Sequence, residues 1–375
     1  MHPEPVDLSV PTANGLRRGR TTGTCAAAAA KAAVWVALTG QPRRTVVVTL
    51  PDGRSLAVPI RVSQRQTEGL GYAEVVKDAG DDPDQTHGAV ITCAARIGGT
   101  ADITFKAGPG VGAVTESGLP IAVGEPAINP VPRRMIRWAV GEALAEAGAD
   151  PRGCEITVGC LGGERIAART FNSRLGIQGG ISILGTSGIV EPKSADAFQR
   201  TIAAYVAVAL GDDPDEIVLT PGNLGQRFAL EQLKLPLKRV VQMSNFIGFT
   251  LDTVDARLAS QGHRLARLWL VGHPGKLAKI LGDVWFTHSH HSVSALAPLA
   301  DWAEARGEDS GLVQRIRTAN TVEDVIQHLG RTPWARAFWG RVAAVIEVNT
   351  AARLAPVEAV KAVLFSLRGE LLHPL

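Results

Sequence analysis

Cysteine is scarce and unpaired. Cys25, Cys93, Cys154 and Cys160 form no CxxC pair in a chain of 375 residues, which argues for reduced thiols in the cytoplasm. Long hydrophobic runs are also missing. The most apolar stretch, Cys25–Leu38, is interrupted by Lys31 and is too short to span a bilayer. The opening MHPEPVDLSVPTANG lacks the basic-then-apolar pattern of a signal peptide. A soluble, cytoplasmic protein with no membrane partner is expected. Charge of one sign is lacking too. The formal net charge is +3, too small to call for nucleic acid or a membrane surface, and no nucleic-acid motif stands out.

Several chemical signatures are absent as well. Gly272–Lys276, GHPGK, resembles a phosphate loop but lacks the GxxxxGK[ST] spacing, which argues against ATP. No GxSxG nucleophile motif occurs. Asp81, Asp82 and Asp84 read as a solvated acidic loop, with His87 unpartnered at ligand spacing. His288, His290 and His291 have no carboxylate or cysteine at a familiar spacing. No metal site is expected.

What is present is a core and many turns. Hydrophobic residues make up 45% and charged residues 20%, with 40 glycines and 22 prolines, and the length suits about two or three domains. After a loose arm, Leu16–Gly40 reads as a helix through a run of alanines, capped by Thr22 or Thr24 and closed by Gly40. Thr45–Leu50 and Arg54–Ile60 read as a hairpin around Pro51-Asp52-Gly53. Strands are expected at Glu74–Lys77, Ala89–Arg96 and Asp102–Lys106. A long glycine- and proline-rich stretch follows, of the kind that often binds ligands. A helix then begins at Pro130 and runs to about Gly148. Paired strands near Glu155–Val158 and Arg165–Ala168 complete an α+β domain with a mixed sheet, residues 1–176.

From Gly179 the pattern becomes strand, small-residue turn, helix. Gly179–Pro192 gives the turn Gly185-Thr186-Ser187-Gly188 and then Glu191. Strands Glu216–Leu219, Arg239–Gln242 and Arg267–Val271 end in turns containing Gly222-Asn223-Leu224-Gly225, Asn245 to Gly248, and Gly272 to Gly275. Four such units predict a Rossmann-like parallel α/β domain over residues 177–375, binding a nucleotide-like cofactor at its strand ends. Val293–Arg353 reads as amphipathic helix, and Val357–Leu367 as either strand or helix.

Six ordered segments carry a resemblance: GRTTGTCAAAAAKAA, GLPIAVGEPAINPVPRRMI, TFNSRLGIQGGISILGTSGIVEP, TPGNLG, SNFIGF, and GHPGKLAKILG with a following THS. Over about Leu16 to Leu367 the chain resembles the CbiD family, the cobalt-precorrin-5B C1-methyltransferases of anaerobic cobalamin biosynthesis. It departs after THS: His290-His291-Ser292-Val293-Ser294-Ala295-Leu296 stands where the family typically carries a small, acidic stretch leading to an arginine. The resemblance implies methyl transfer from S-adenosylmethionine to carbon 1 of a tetrapyrrole, giving cobalt-precorrin-6A, with cobalt present only as part of the substrate. It also implies a two-domain α/β enzyme whose fold is unlike the usual tetrapyrrole methylases; our own reading gives residues 1–176 to the tetrapyrrole and 177–375 to the donor.

Within that reading, Gly185, Thr186, Ser187, Gly188, Gly222, Asn223, Gly225, Asn245, Gly248, Gly272 and Gly275 are the expected cofactor-binding residues. Glu191 is assigned to the ribose hydroxyls. Arg17, Arg18, Thr22, Thr24, Arg133, Arg134 and Lys276 are the expected substrate contacts, because arginine forks suit carboxylates. His288 and His273 are the candidates for a base, since imidazole titrates near neutral pH; each is equally readable as a core or turn histidine. A nicotinamide-dependent reductase of a corrinoid precursor and a non-enzymatic tetrapyrrole carrier are the rival readings. A homo-oligomer and transient contacts with neighbouring pathway enzymes stay open.

Overall fold

Helix α1 (Thr22–Thr39) is the axle of the first of two compact units, Met1–Ala195 and Asp196–Leu375. The computed structural model describes residues 4–98, 102–150, 153–192, 195–288 and 292–375. The cap of α1 is Thr21, not Thr22 or Thr24: its hydroxyl accepts the Thr24 N–H at 3.2 Å. Gly40 closes the helix with φ 73°, a left-handed value that suits glycine. The alanines leave α1 thin enough for backbone contact with the sheet. A Cβ added to Gly71 would lie 2.0 Å from the Ala33 carbonyl oxygen.

That sheet follows a hairpin, β1 (Thr45–Thr49) and β2 (Ser55–Pro59). It has five strands: β3 (Val62–Thr67), β4 (Leu70–Val76), β5 (Val90–Ile97), β6 (Ile103–Ala107) and β7 (Cys154–Cys160). Their spatial order is β3-β4-β5-β7-β6, antiparallel except for the parallel β6–β7 pair. Helix α2 (Pro130–Glu146) packs on α1. Between them Lys31 is only 4% exposed, and a buried charge must be paired. Its ammonium donates to the Val47 carbonyl and to the Glu142 carboxylate, both at 2.8 Å, and ion-pairs with Glu146.

Two expectations fail in this unit. Arg165–Ala168 is not a strand but part of a short helix, Gly163–Ala167, entered through Gly162 at φ 67°. More consequentially, Gly179–Pro192 belongs here and not to the parallel domain. Gly180–Ile181 pairs with Gly110–Val111, and Ile189–Val190 pairs with Gly19–Arg20. Ile181 and Ile183 are at most 1% exposed within the first unit's core. Burying an isoleucine is worth about 1.5–3 kcal/mol, so two of them decide where the segment goes.

The second unit is built on four parallel strands: β8 (Glu216–Thr220), β9 (Val240–Gln242), β10 (Leu265–Gly272) and β11 (Val357–Leu364). The spatial order is β9-β8-β10-β11. The expected count of four therefore holds with different membership, because the C-terminal apolar run supplies the fourth strand. Helix α3 (Ala195–Ala209) precedes β8, α4 (Asn223–Glu231) connects β8 to β9, and α5 (Ile247–Gln261) connects β9 to β10. Four further helices between 296 and 351 lead to β11.

Candidate functional site

The turn Gly185–Gly188 wraps the N-terminus of α1. Thr24 Oγ1 donates to the Gly188 carbonyl at 2.6 Å, and the Leu184 N–H donates to Thr22 Oγ1 at 2.9 Å. The Gly23 N–H donates to the Leu184 carbonyl at 3.0 Å. A Cβ on Gly185 would fall 2.5 Å from Thr21 Oγ1, and one on Gly188 2.7 Å from Leu50 Cδ2. These glycines are required by the chain's own packing. Ser187 is spent on its own turn, donating to the Ile189 carbonyl at 3.0 Å, while Thr186 is exposed. Thr22 and Thr24 are 3% and 0% exposed, so both are structural hydroxyls and cannot reach a substrate.

The expected arginines are mostly engaged. Arg17 forks onto Asp78, at 2.7 and 3.1 Å, and that guanidinium holds the Asp78 carboxyl down at about 2. Arg18 pairs with Glu191 at 2.8 Å, which joins a residue expected on the substrate to one expected on the cofactor. Arg133 donates to the Ile128 and Pro126 carbonyls and pairs with Glu125, bracing the loop ahead of α2. Arg134 is exposed, lies over the Trp138 ring, and has no acidic partner among the described residues.

The second unit gathers the other turns at the carboxyl edge of its sheet. The order β9-β8-β10-β11 reverses direction between β8 and β10, and open parallel sheets bind ligands in the crevice at such a switch point. There the turn that follows β8 meets Gly272 at the end of β10: a Cβ on Gly272 would meet Pro221 at 3.0 Å. Gly222 stands before α4 with φ −172° and no side chain to cap it, and a Cβ there would meet nothing within 4 Å. Gln242, at the end of β9, donates to Asn223 Oδ1 at 2.8 Å and to Gln226 at 3.0 Å.

The remaining glycines of this edge are explained internally. A Cβ on Gly225 would sit 2.0 Å from Thr220 Oγ1, on Gly248 2.8 Å from Trp285 Cβ, and on Gly275 2.8 Å from His273 Nδ1. Asn245 receives the Thr287 N–H on its carbonyl at 2.9 Å, and the Gly248 N–H donates to the Trp285 carbonyl at 3.0 Å. Backbone stitching thus accounts for both positions.

His273 uses both ring nitrogens. Nδ1 accepts the Gly275 N–H at 2.9 Å, and Nε2 lies 3.0 Å from Glu323. With Nδ1 accepting, the proton resides on Nε2 and is given to Glu323. Burial lowers the imidazole pKa, with Glu323 opposing. No lone pair is left for a base, so His273 is a turn cap. His288 is half-buried and its ring stacks on Phe286 at 6.1 Å. His290 and His291 lie outside the described residues.

Beyond Gly275 stand two lysines. Lys276 is half-buried, with no acidic partner among the described residues; burial, and then the charge of Lys279, push its ammonium below the ordinary range. Lys279 is 4% exposed and donates to the Thr287 carbonyl at 3.2 Å and to Ser292 Oγ at 2.8 Å. A separate groove of about 520 Å³ between α3 and α5 is lined by helix residues, including Ala203, Ala207, Phe249 and Thr253, and brings no strand-end turn to a ligand.

Comparison with known proteins bears on both units. Residues 9–192 match the family model CbiD, and residues 286–373 match the model of the CbiD C-terminal domain. The chain belongs to the CbiD family. It is similar to proteins named cobalt-precorrin-5B C(1)-methyltransferase from Ralstonia nicotianae, at 50% identity over 97% of this chain and 95% of that protein, and from Chromobacterium violaceum, at 48% over 98% and 97%. A third, from Moorella thermoacetica, is 44% identical over 88% of this chain and 87% of its own length. A crystal structure of a cobalamin biosynthesis protein (cbiD) from Archaeoglobus fulgidus is 27% identical, covering 78% of this chain and 85% of that one, with a TM-score of 0.38.

The first CbiD match ends at residue 192, in agreement with a first unit that retains Gly179–Pro192. Two residues of this CbiD chain, Arg137 and Lys279, were not expected from the sequence. Arg137 is exposed and lies 4.8 Å from the Phe105 ring without an acidic partner among the described residues. Its signal was the RRMIR spacing, which puts Arg133, Arg134 and Arg137 on neighbouring helical positions. Lys279 gave no signal, since an isolated lysine reads as surface.

Proposed function

We propose that this chain methylates carbon 1 of cobalt-precorrin-5B, using S-adenosylmethionine bound at the carboxyl edge of a Rossmann-like second unit. Gly222 is the observation that carries the donor site. Among the cofactor glycines expected from sequence it alone has open space where a side chain would be, in extended backbone that any residue adopts. A glycine with no internal reason fits close approach by a ligand. It also leaves the first N–H groups of α4 uncapped at the switch point, suited to the donor's carboxylate. Asn223 engages Gln242 through Oδ1, which keeps its Nδ2 for a polar edge of the donor.

S-adenosylmethionine supplies a methyl group already activated on sulfonium, so the protein's work is alignment and exclusion of water. Lys276 is the cation we assign to the macrocycle's carboxylates. His288 is the residue we assign to proton handling; it stands two residues beyond Phe286, which bridges to Phe246. The four cysteines are free and buried, and burial pushes their thiols up, Cys25 and Cys160 to about 11. Unreactive thiols suit a cytoplasmic setting.

The test is an anaerobic incubation with cobalt-precorrin-5B and methyl-deuterated S-adenosylmethionine, read by mass spectrometry and NMR. One labelled methyl on carbon 1 is expected. Binding of both ligands without transfer would favour a carrier, and reduction dependent on NAD(P)H would favour a reductase. His288→Ala is expected to cut kcat by about 10²–10⁴, the usual worth of a positioned proton-transfer group.

A further inference from the structure

The carboxyl edge of the second unit also carries a run of aromatic rings that no glycine turn requires. Phe198, on α3, is 57% exposed, and its ring lies 6.4 Å from that of Phe246 with the planes 21° apart. Phe246, just before α5, lies 5.2 Å from Phe286 with the planes tilted by 48°, and Phe286 is itself 39% exposed. Phe286 in turn stacks at 15° on His288. Rings from three separate segments therefore form one continuous ladder.

The ladder is a built feature. Phe246 and Phe286 face each other across an antiparallel bridge, flanked by the Thr287-to-Asn245 and Gly248-to-Trp285 backbone bonds. Lys279 ties the segment from below through the Thr287 carbonyl, and Ser292 Oγ accepts from Lys279 while donating to the His288 carbonyl. Spending a buried ammonium and a glycine to hold partly exposed phenyl rings in place makes no sense for folding alone. Exposed apolar rings beside a ligand edge mark a contact surface.

We infer that Phe198, Phe246 and Phe286 form the platform on which the flat tetrapyrrole macrocycle stacks, with His288 at its end. The inference rests on the methyltransferase reading above. Three ring-to-ring steps of 5.2 to 6.4 Å are more than a single adenine or nicotinamide ring needs, and they suit an extended conjugated system. The residue types also match: the half-buried Lys276 and the buried Lys279 follow the Gly272–Gly275 turn of this edge, and the macrocycle is carboxylated.

The experiment is an anaerobic absorbance titration with cobalt-precorrin-5B, paired with calorimetric titration of S-adenosylhomocysteine. Wild type is compared with Phe286→Leu, Phe286→Tyr and Phe198→Leu, each checked for fold by circular dichroism. By the worth of a stacking ring in nucleobase sites, Phe286→Leu should raise the macrocycle Kd about five- to 150-fold and Phe198→Leu by somewhat less. Phe286→Tyr should stay within about threefold, and the S-adenosylhomocysteine Kd should not move. Unchanged macrocycle binding in the folded leucine variants overturns the platform while leaving the methyltransferase reading intact. A shift in S-adenosylhomocysteine affinity instead would make the ladder a donor site. Loss of self-association with macrocycle binding intact would make it a face between copies. Wild type that binds no macrocycle would sink the functional reading itself.

Discussion

Gly188 and Gly222 look alike in sequence, each in a small polar turn after an apolar strand, and the structure gives them opposite reasons. Gly188 has φ +83°, and a Cβ there would strike Leu50 and Thr24. Gly222 has ordinary extended backbone and empty space. One glycine is demanded by the fold; the other is free to be demanded by a ligand. The lesson is that a glycine turn means a binding site only after the chain's own contacts have been subtracted.

The largest effect that sharpens this contrast is Gly188→Ala. Left-handed backbone for a non-glycine residue and overpacking each cost about 1–3 kcal/mol, so the variant should lose roughly 2–6 kcal/mol in urea unfolding. Its S-adenosylhomocysteine affinity per folded molecule should be unchanged. Gly222→Ala should do the reverse, with stability within about 0.5 kcal/mol and a Kd for S-adenosylhomocysteine at least about tenfold weaker, or roughly 1.4 kcal/mol. If Gly222→Ala binds normally, the donor site is not at this switch point.

His273 tests the same division between packing and chemistry. Burial lowers its pKa in the folded state, so below the ordinary imidazole value, about 6.5, the unfolded chain takes up the proton more readily. Stability should therefore fall as pH drops through and below that value and be fully present above it. Asparagine is a strong cap, so His273→Asn should keep the turn, flatten this pH dependence and retain kcat. A folded His273→Asn protein with kcat down a hundredfold would restore His273 as the base.

Much of the fold was legible because its signals are local. The β1–β2 hairpin shows alternation on both sides of Pro51-Asp52-Gly53, and α1 and α2 announce themselves by alanine content and by Pro130. Strand β3 was invisible, since VSQRQT is mostly exposed and an edge strand needs no apolar alternation. The C-terminal run was ambiguous because β11 is continuously apolar toward its end, as a strand in a parallel sheet tends to be. The site was legible only in part. Thr24 meets Gly188 across 164 residues, and the glycine motif is silent about that partner. The aromatic ladder is assembled from positions 198, 246 and 286, which no periodicity connects.

The smallest expected effect is the most discriminating for the first unit. Glu191 was assigned to a ribose from its place after a glycine turn, and it is found on Arg18 with 47% of its side chain exposed. Exposed ion pairs are worth about 0–1 kcal/mol, so Glu191→Gln should leave stability nearly unchanged. If the donor is held only by the second unit, its affinity should also stay within about twofold, because the amide removes charge from a residue the donor never touches. A ribose partner behaves differently: losing a charged acceptor for two hydroxyls costs about 1.5–3 kcal/mol, a Kd change of tenfold or more. Calorimetric titration of S-adenosylhomocysteine into Glu191→Gln separates those outcomes cleanly. A tenfold loss would make Glu191 a donor contact and overturn the assignment of the donor to the second unit.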